Sequence, residues 1–480
     1  MLEFFSHYWP IIFGLFERCF AIGTSLHALL QKRETRAVLG WVGLIWLSPL
    51  VGSLLYCCFG VNRIERKGER ILDQIDAQGK YTLKRAVRAW ETRYQRTDTN
   101  VELEEIGKWI TRRELTPAND VTPLVGGKAA YDSMLTAIDE AQHSISLCSY
   151  IFDNDSSGRM FAEALANATQ RGVDVRVLID DVGTRYSKPT ILAEFQRLGL
   201  NAATFLPTST PALVFYANLR NHRKILVVDG EIGFTGGMNI REGNLNLPRC
   251  KHPIQDVHFR FEGPVVEHFL EVFLADWAFV TGEHPDPEKL FGDPQLNGTT
   301  WARGIPDGPD ADLDNIRMVI LGAIASANER IDIVTPYFLP DESLINSLNV
   351  AAMRGVRVRV LIPEECNIRL VQWAASDPIS RILPYHCEVI RTPAPFDHSK
   401  IMLVDNEWTL IGSSNWDPRS LRLNFEFNVE CYGTQLNSEM SKLVEEKVRS
   451  GRRMSLEELQ TRNFAIRIRD GIARLATPYL

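Results

Sequence analysis

The chain has 480 residues, 45% hydrophobic and 24% charged, which is ordinary for a globular protein and too long for one compact core. Its net charge of −7 argues against a protein built to coat nucleic acid, because phosphate contacts from basic residues supply most of that affinity. Eight scattered cysteines form no CxxC pair, so a zinc site is not expected and nothing demands an oxidising compartment.

The N-terminus reads as a membrane device. Tyr8 to Leu30 is apolar apart from Glu17 and Arg18, and is either a first span or a helix lying at the interface. Ala37 to Val61 holds 25 residues without a charge, enough to span a bilayer core. Lys32, Arg33 and Arg36 precede it, and Arg63, Arg66, Lys67 and Arg70 follow. With both flanks positive the orientation is open; the large C-terminal part is expected to be cytoplasmic. One or two anchoring helices are thus expected over residues 1–62. A polar helical connector follows over 63–120, with Trp90, Leu103, Ile106 and Trp109 in helix-like spacing.

The remainder is an internal repeat. Arg171-Gly-Val-Asp-Val-Arg-Val-Leu-Ile179 matches Arg354-Gly-Val-Arg-Val-Arg-Val-Leu-Ile362. Upstream, the strand-like Ser144 to Tyr150 matches Arg330 to Tyr337, and helix-like stretches Gly158 to Gln170 and Asp341 to Met353 lie between. A further helix precedes each unit, over Ala129 to Ala141 and Leu313 to Ala327. Strand, helix, strand with apolar runs predicts α/β architecture built twice, in lobes 121–290 and 291–480.

Later in each half the match is stronger. Asn221-His222-Arg-Lys224-Ile-Leu-Val-Val-Asp229 leads to Gly236-Gly-Met-Asn239, and Asp397-His398-Ser-Lys400-Ile-Met-Leu-Val-Asp405 leads to Gly412-Ser-Ser-Asn415. On a strand, residues two apart share a face, so His222 and Lys224 project together, as do His398 and Lys400. Asp229 faces away and lies roughly 20 Å from His222 on a straight strand, which suits a structural or turn role. Taking Asp229-Gly230 as a two-residue hairpin loop puts Val228 opposite Glu231, His222 opposite Gly237 and His398 opposite Ser413. Asn239 and Asn415 then lie beside the His-Lys end. One half alone is a poor catalyst. Two halves facing each other give two imidazoles, two cations and two amides around one centre. That set suits a phosphodiester: one neutral histidine attacks phosphorus, the other protonates the leaving oxygen, and the lysines supply positive charge without a metal.

These paired His-x-Lys-x4-Asp motifs resemble the signature of the phospholipase D superfamily. Arg220-Asn-His-Arg-Lys-Ile-Leu-Val-Val-Asp-Gly230, Phe234-Thr-Gly-Gly-Met-Asn239, Thr335-Pro-Tyr-Phe-Leu-Pro-Asp-Glu342, Ser414-Asn-Trp-Asp-Pro-Arg-Ser420, Asn424-Phe-Glu-Phe-Asn428 and the ending Pro478-Tyr-Leu480 are similar to bacterial-type cardiolipin synthases. His398-Ser399-Lys400 departs from the family, where many members have alanine between.

The resemblance implies a duplicated phospholipase D-type α/β fold, two mixed-sheet lobes with flanking helices and one shared active site, preceded by N-terminal membrane helices. It implies a catalytic set of His222, Lys224, Asp229, His398, Lys400 and Asp405, with His222 as nucleophile and His398 as acid/base by analogy, or the reverse, since the sequence does not break that symmetry, and Asn239 and Asn415 on the phosphate. Asp256 is the matching position for orienting His222, and Glu426 for His398. In the repeat, however, His258 aligns with Glu426, which leaves the first assignment open. The implied reaction transfers a phosphatidyl group between two phosphatidylglycerols through a phosphatidyl-histidine, releasing glycerol, in the inner membrane. Phospholipase D hydrolysis to phosphatidic acid, or transfer to another phospholipid, is the alternative. No cofactor or metal and no nucleic-acid partner is expected. Leu213, Val214, Phe215 and Tyr216 either guide acyl chains or pack as an ordinary loop, and Asp180 either lines the cleft or ends a strand in a solvated turn.

Overall fold

The computed structural model describes residues 2–32, 35–60, 101–207, 219–246, 250, 252–286, 289–309 and 312–477. Most of the expected connector (61–100), the loop residues Leu213 to Tyr216 and the ending Pro478-Tyr479-Leu480 lie outside the described residues. Two compact units separate: residues 1–66 with 206–219, and residues 67–205 with 220–480.

In the first unit, helix Leu2–Gln31 is followed by helix Thr35–Leu47, then Pro49–Leu55 running into a π-helical turn, Tyr56–Gly60. Tyr8–Gln31 is long and apolar enough to cross a membrane, by length and composition. The expectation that residues 37–61 span a bilayer is corrected over their described part, 37–60, which forms two shorter apolar helices. The chain breaks at Ser48, whose ψ of 83° is not helical, and Pro49 opens the next helix without an N–H. Gly52 is pressed against the preceding arm, since a Cβ there would lie 2.4 Å from the Leu44 carbonyl oxygen. Eight residues along a straight helix rise about 12 Å, so the segment doubles back. The arms close on the first helix through a buried cluster of Ala21, Ala28, Ile45 and Tyr56. Thr24 Oγ1 donates to Ser53 Oγ at 3.0 Å, and His27 Nδ1 lies 2.7 Å from the Tyr56 hydroxyl. Small residues at this seam permit the close approach.

The second unit is built on one continuous sheet. From one edge its strands run Ala202–Phe205, Asp174–Asp180, Ser144–Ser149, Ile225–Val228, Ile232–Gly236, Val257–Glu262 and Thr116–Val125. They continue through Thr300–Asp307, Glu426–Tyr432, Trp408–Gly412, Ile401–Val404, Arg330–Val334, Arg357–Pro363, Glu388–Thr392 and Arg452–Arg453. Thr116–Val125 and Thr300–Asp307 are antiparallel neighbours that join the two lobes. The repeated strand pairs, Ser144–Ser149 with Asp174–Asp180 and Arg330–Val334 with Arg357–Pro363, are parallel as expected. The sheet becomes antiparallel toward the middle, where the two motif hairpins lie.

Period-two alternation fixes the layers. Ile145, Leu147, Val175, Val177, Leu226 and Val228 share the first lobe's buried cluster with Tyr131, Ile138, Phe161 and Leu165 from helices Gly127–Glu140 and Ser156–Gln170. Ile331, Ile333, Val358, Val360, Met402 and Val404 do the same with Ile316, Ile320, Leu344 and Leu348 from helices Asn315–Ser326 and Glu342–Met353. Each fully buried aliphatic side chain contributes about 1.5–3 kcal/mol before entropy. Asp155 and Asp341 cap the matched helices, accepting from Gly158 N and Leu344 N, each at 3.0 Å. The described end of the connector, helix Val101–Thr111, packs on Asn315–Ser326 and sends Leu103 into the second lobe's core.

Two expectations about the hairpins are corrected. Val228 pairs with Ile232 and Val404 with Trp408, so each loop has three residues, 229–231 and 405–407. Continuing that register carries His222 opposite Met238, not Gly237, and His398 opposite Ser414, not Ser413. Asp229 and Asp405, the last members of the implied catalytic set, are not at the catalytic end. Both sit in the left-handed region, at φ 51° and 50°. The Asp229 carboxylate accepts from the backbone N–H groups of Gln142, His143 and Ser144 at 2.7–2.8 Å. Asp405 does the same for Asn328, Glu329 and Arg330. Each lashes its hairpin tip to the start of the neighbouring strand. Asp229→Ala is therefore expected to cost about 1–3 kcal/mol of stability while leaving kcat per folded molecule unchanged. A matched loss of kcat at full folding, measured beside a thermal melt, contradicts this role.

Candidate active site

Each motif histidine begins at a seam between lobes. Asn221 bridges Phe425 in parallel; His222 N donates to Phe425 O, and Phe425 N to Arg220 O, both at 2.8 Å. On the other side Phe396 and Asp397 pair in parallel with Ile254 and Gln255, and His398 N donates to Gln255 O at 2.8 Å. The residue after each seam is a carboxylate: Glu426 beside His222, and Asp256 beside His398.

The expected pairing is thereby exchanged. His222 Nδ1 lies 2.9 and 3.0 Å from the two Glu426 oxygens, and His398 Nδ1 lies 3.1 Å from Asp256 Oδ2. The same two acids orient the same two histidines, but each reaches across to the other lobe. Spacing within one repeat cannot reveal this, because the partner comes from the other copy. The alignment of His258 with Glu426 is corrected as well. His258 pairs with Gly236 as Asn428 pairs with Gly412, so Asp256 is the true counterpart of Glu426.

With Nδ1 held by a carboxylate, each ring keeps Nε2 for chemistry. Lys224 Nζ and Lys400 Nζ each donate to the carbonyl two residues back, of His222 and His398. Both lysines therefore fold back toward their own histidine, although residues 222–224 and 398–400 stand just before strands Ile225–Val228 and Ile401–Val404 and not within them. Tyr150 packs edge-on to His222 with ring centroids 5.0 Å apart, and Tyr337 stands 6.4 Å from His398. The matched strands end at these two tyrosines, so the repeat contained the signal for them.

The two asparagines differ. Asn239 Oδ1 accepts from Ile151 N at 3.1 Å, which ties it to the exit of strand Ser144–Ser149. Asn415 is buried, and its Oδ1 has no hydrogen-bond partner among the described residues. Behind His222 lies a further network that sequence reasoning missed: Asp276 accepts from Asn221 Nδ2 at 2.8 Å and from Arg223 Nη1 at 2.5 Å. Asp180 is buried, and it accepts from Asn221 N at 2.9 Å; it is neither a cleft wall nor a solvated turn.

Electrostatics separate the halves. Burial, opposed by Glu426, pushes the His222 ring down to about 4. Burial together with the charges of Lys400, Lys224 and His222 holds His398 well below its ordinary value. Burial draws Lys224 down to about 7 and Lys400 to about 8. The carboxylates move oppositely. Burial lifts Asp256 to about 7, whereas Glu426 is lowered despite its burial, by His222, Lys224 and the Ser413 hydroxyl. Ser413 Oγ donates to Glu426 Oε2 at 2.5 Å, and Asn424 Nδ2 to Oε1 at 3.3 Å. No such hydroxyl fits in the other half. A Cβ at Gly237, the residue related to Ser413, would lie 2.5 Å from Asp256 Oδ1 and 2.8 Å from the His398 carbonyl. Among the described residues, no group of three His, Cys, Asp or Glu is arranged to hold a metal ion.

Two carboxylate-held histidines and two lysines, contributed equally by two halves of one sheet, are brought together as the paired motifs lead one to expect of a phospholipase D-type centre. The family described as "Cardiolipin synthase, PLD-like domain" matches residues 134–277 and 320–448, more than half of the chain. The chain belongs to that family. It is 29% identical to a cardiolipin synthase of Geobacillus kaustophilus over 98% of this chain and 94% of the relative. It is also 29% identical to a cardiolipin synthase 2 of Staphylococcus epidermidis over 94% of each, and 28% identical to a cardiolipin synthase of Staphylococcus aureus over 94% of this chain and 93% of that one. Among solved structures, the phosphatidylserine synthase of Haemophilus influenzae shares the fold, with a TM-score of 0.62 at 15% identity, over 79% of this chain and 100% of that one.

Proposed function

We propose that the chain is a cardiolipin synthase that moves a phosphatidyl group from one phosphatidylglycerol to the hydroxyl of another. The observation that carries the reading is the crossed pair of histidines. Each is fixed on Nδ1 by the opposite lobe's carboxylate, with a lysine folded beside it.

In this reading His222 Nε2 attacks phosphorus. A P–N bond forms, the P–O bond to glycerol breaks, and the leaving oxygen takes, through His398 Nε2, the proton that the Asp256–His398 pair holds between them. The second phosphatidylglycerol then gives its hydroxyl proton to His398 as its oxygen attacks phosphorus, and the P–N bond breaks. The asymmetry of the carboxylates supports this order. Glu426, held ionised, suits the histidine that becomes a cationic adduct. Asp256, which titrates near neutrality, suits the histidine that must gain and lose a proton. Lys224, Lys400 and the Nδ2 groups of Asn239 and Asn415 carry the phosphate charge as it grows.

The lysine values set a pH dependence. A lysine drawn down to about 7 or 8 is charged below that value and loses its charge above it. kcat/KM, which reports the free enzyme, is expected to fall as pH rises through 7–8. A profile flat to pH 9 removes the lysines from phosphate binding at those values.

We further place the catalytic body on the cytoplasmic side of the cell membrane, anchored by Tyr8–Gln31. Support comes from the doubling back at Ser48. Trp41 and Tyr56 face each other with ring centroids 5.4 Å apart, and Tyr56 reaches His27. The ends of the folded-back segment therefore lie at one level, near the C-terminal end of the first helix. Basic flanks on both sides of a segment that returns to its starting side agree with positive-inside orientation.

The test is lipid analysis after incubating the purified full chain with phosphatidylglycerol vesicles. Cardiolipin with equimolar glycerol is expected. Phosphatidic acid without cardiolipin makes the acceptor water and the chain a hydrolase.

A further inference from the structure

Helix Phe464–Leu475 begins at the cap Asn463 and packs on helices Arg369–Ala374 and Ser376–Ile382 through a narrow face that buries Asp470 and Ala473. Phe464, Ile468, Ile472 and Leu475 are left 76%, 46%, 64% and 78% exposed. At 100° per residue these four fall within one arc of about 80°, so they form a stripe. Beside it, Ile368 and Leu370 are also exposed, on the segment that enters helix Arg369–Ala374. Scattered exposed apolar residues are normal, but a continuous stripe of large ones marks a contact surface.

Charge identifies what the stripe meets. In a chain of net charge −7, residues 460–480 carry Arg462, Arg467, Arg469 and Arg474 against Asp470 alone. Along one edge of the stripe runs a cleft of about 500 Å³ lined by Arg467 and by Arg462 and Arg474, which pair with Asp470 at 3.0 Å and Asp377 at 2.8 Å; Arg469 shares Asp470 at 2.6 Å, so the edge keeps a net positive charge. On the other edge Arg469 lies over the Trp373 ring at 4.5 Å. An apolar stripe bordered by arginines is the pattern of a helix lying in a membrane interface over anionic headgroups.

The same surface leads to the active site. Tyr337, whose ring stands 6.4 Å from His398, donates its hydroxyl to Asn367 Oδ1 at 2.8 Å. Asn367 directly precedes Ile368 and the helix on which Phe464–Leu475 packs. A bilayer met by the stripe is thus connected to the active site's Tyr337 wall through one short segment.

We infer that helix Phe464–Leu475 is an interfacial membrane-docking helix, which seats the second lobe on anionic phospholipid. The inference rests on the phospholipid reading above and goes beyond it by naming where the body meets the bilayer.

The test uses the full chain reconstituted in vesicles of phosphatidylglycerol and phosphatidylcholine doped with a lipid carrying a photoreactive diazirine on its acyl chain. After irradiation, labelled peptides are mapped by mass spectrometry. Label on 464–475, lost in I468E/I472E, is the expected result. The double variant should also turn over vesicle-embedded phosphatidylglycerol at least about tenfold more slowly, yet handle monomeric dihexanoyl-phosphatidylglycerol within about twofold of the parent, because only the vesicle substrate needs docking. Label confined to the first helix overturns the inference, as does a cross-link of 464–475 to a second copy in place of lipid. Equal effects of the variant on both substrates overturn it too. If the parent labels at 464–475 but forms no cardiolipin, the docking surface stands and the synthase reading fails.

Discussion

His222→Ala is expected to abolish phosphatidyl transfer and the covalent adduct together, whereas His398→Ala keeps the ability to form the adduct when the leaving group needs no proton. In the proposed reaction His222 supplies the electron pair for the P–N bond. Loss of a group that acts as part of a catalytic unit costs about 10⁶-fold. His398 contributes proton transfer, worth about 10²–10⁴-fold with an alkoxide leaving group. A phosphatidyl nitrophenyl ester removes that need, since nitrophenolate leaves unprotonated. The H398A protein should then release one equivalent of nitrophenolate in a burst and hold the phosphatidyl group on His222, readable by intact-protein mass spectrometry. H222A should give neither burst nor adduct. The opposite pattern would make His398 the nucleophile.

The second large effect is structural. Arg303 is fully buried, and its guanidinium donates to Glu430 Oε1 at 2.6 Å, to the Glu104 carbonyl at 2.9 Å and to the Arg113 carbonyl at 3.1 Å. It pins the end of the connector to the central sheet. Gly107 makes room, since a Cβ there would lie 2.2 Å from Arg303 Nη2. Among the described residues, Arg303→Ala leaves buried Glu430 the neutral donors Trp408 Nε1 and the Tyr432 hydroxyl, each at 3.1 Å. An uncompensated buried charge of this kind costs about 3–5 kcal/mol. The unfolding midpoint in detergent should fall clearly. Arg303→Met combined with Glu430→Gln should recover more than half of the loss. No recovery in the double variant means the damage comes from the lost carbonyl contacts and not from the stranded charge.

Much of this architecture was legible in the sequence because it was written twice. The matched strands, the helices between them and the His-Lys pairs all follow from period-two and helical patterning, and they lie where the spacing puts them. What was not legible depends on how the copies meet. Glu426 and Asp256 stand beside the right kind of residue in the wrong lobe, since the local pattern around Asn424-Phe425-Glu426 says nothing about Asn221-His222 until the seam forms. The hairpin register slipped by one because the turn recruits Asp229 and Asp405 to neighbouring strands, which lengthens each loop. The bend at Ser48-Pro49 was hidden by composition: a run of uncharged residues reads as one span, although Pro49 and Gly52 mark the turn. Arg303 and Asp276 were missed because a single buried charge carries no periodic signal.

The crossing of the carboxylates has a consequence for how the two halves could change over time. A two-fold dimer of single lobes would place each acid against its partner's histidine by symmetry, and every substitution would then appear in both places at once. On one chain that constraint is lifted. Ser413 occupies a position whose twin, Gly237, has no space for it. The duplicated enzyme behaves as a heterodimer folded from one polypeptide, whose members differ at Ser413 and Gly237 and, with them, in the acidity of their carboxylates. A lobe made alone would carry a histidine without its acid and an acid without its histidine, so catalytic competence is itself a report that the two copies have docked.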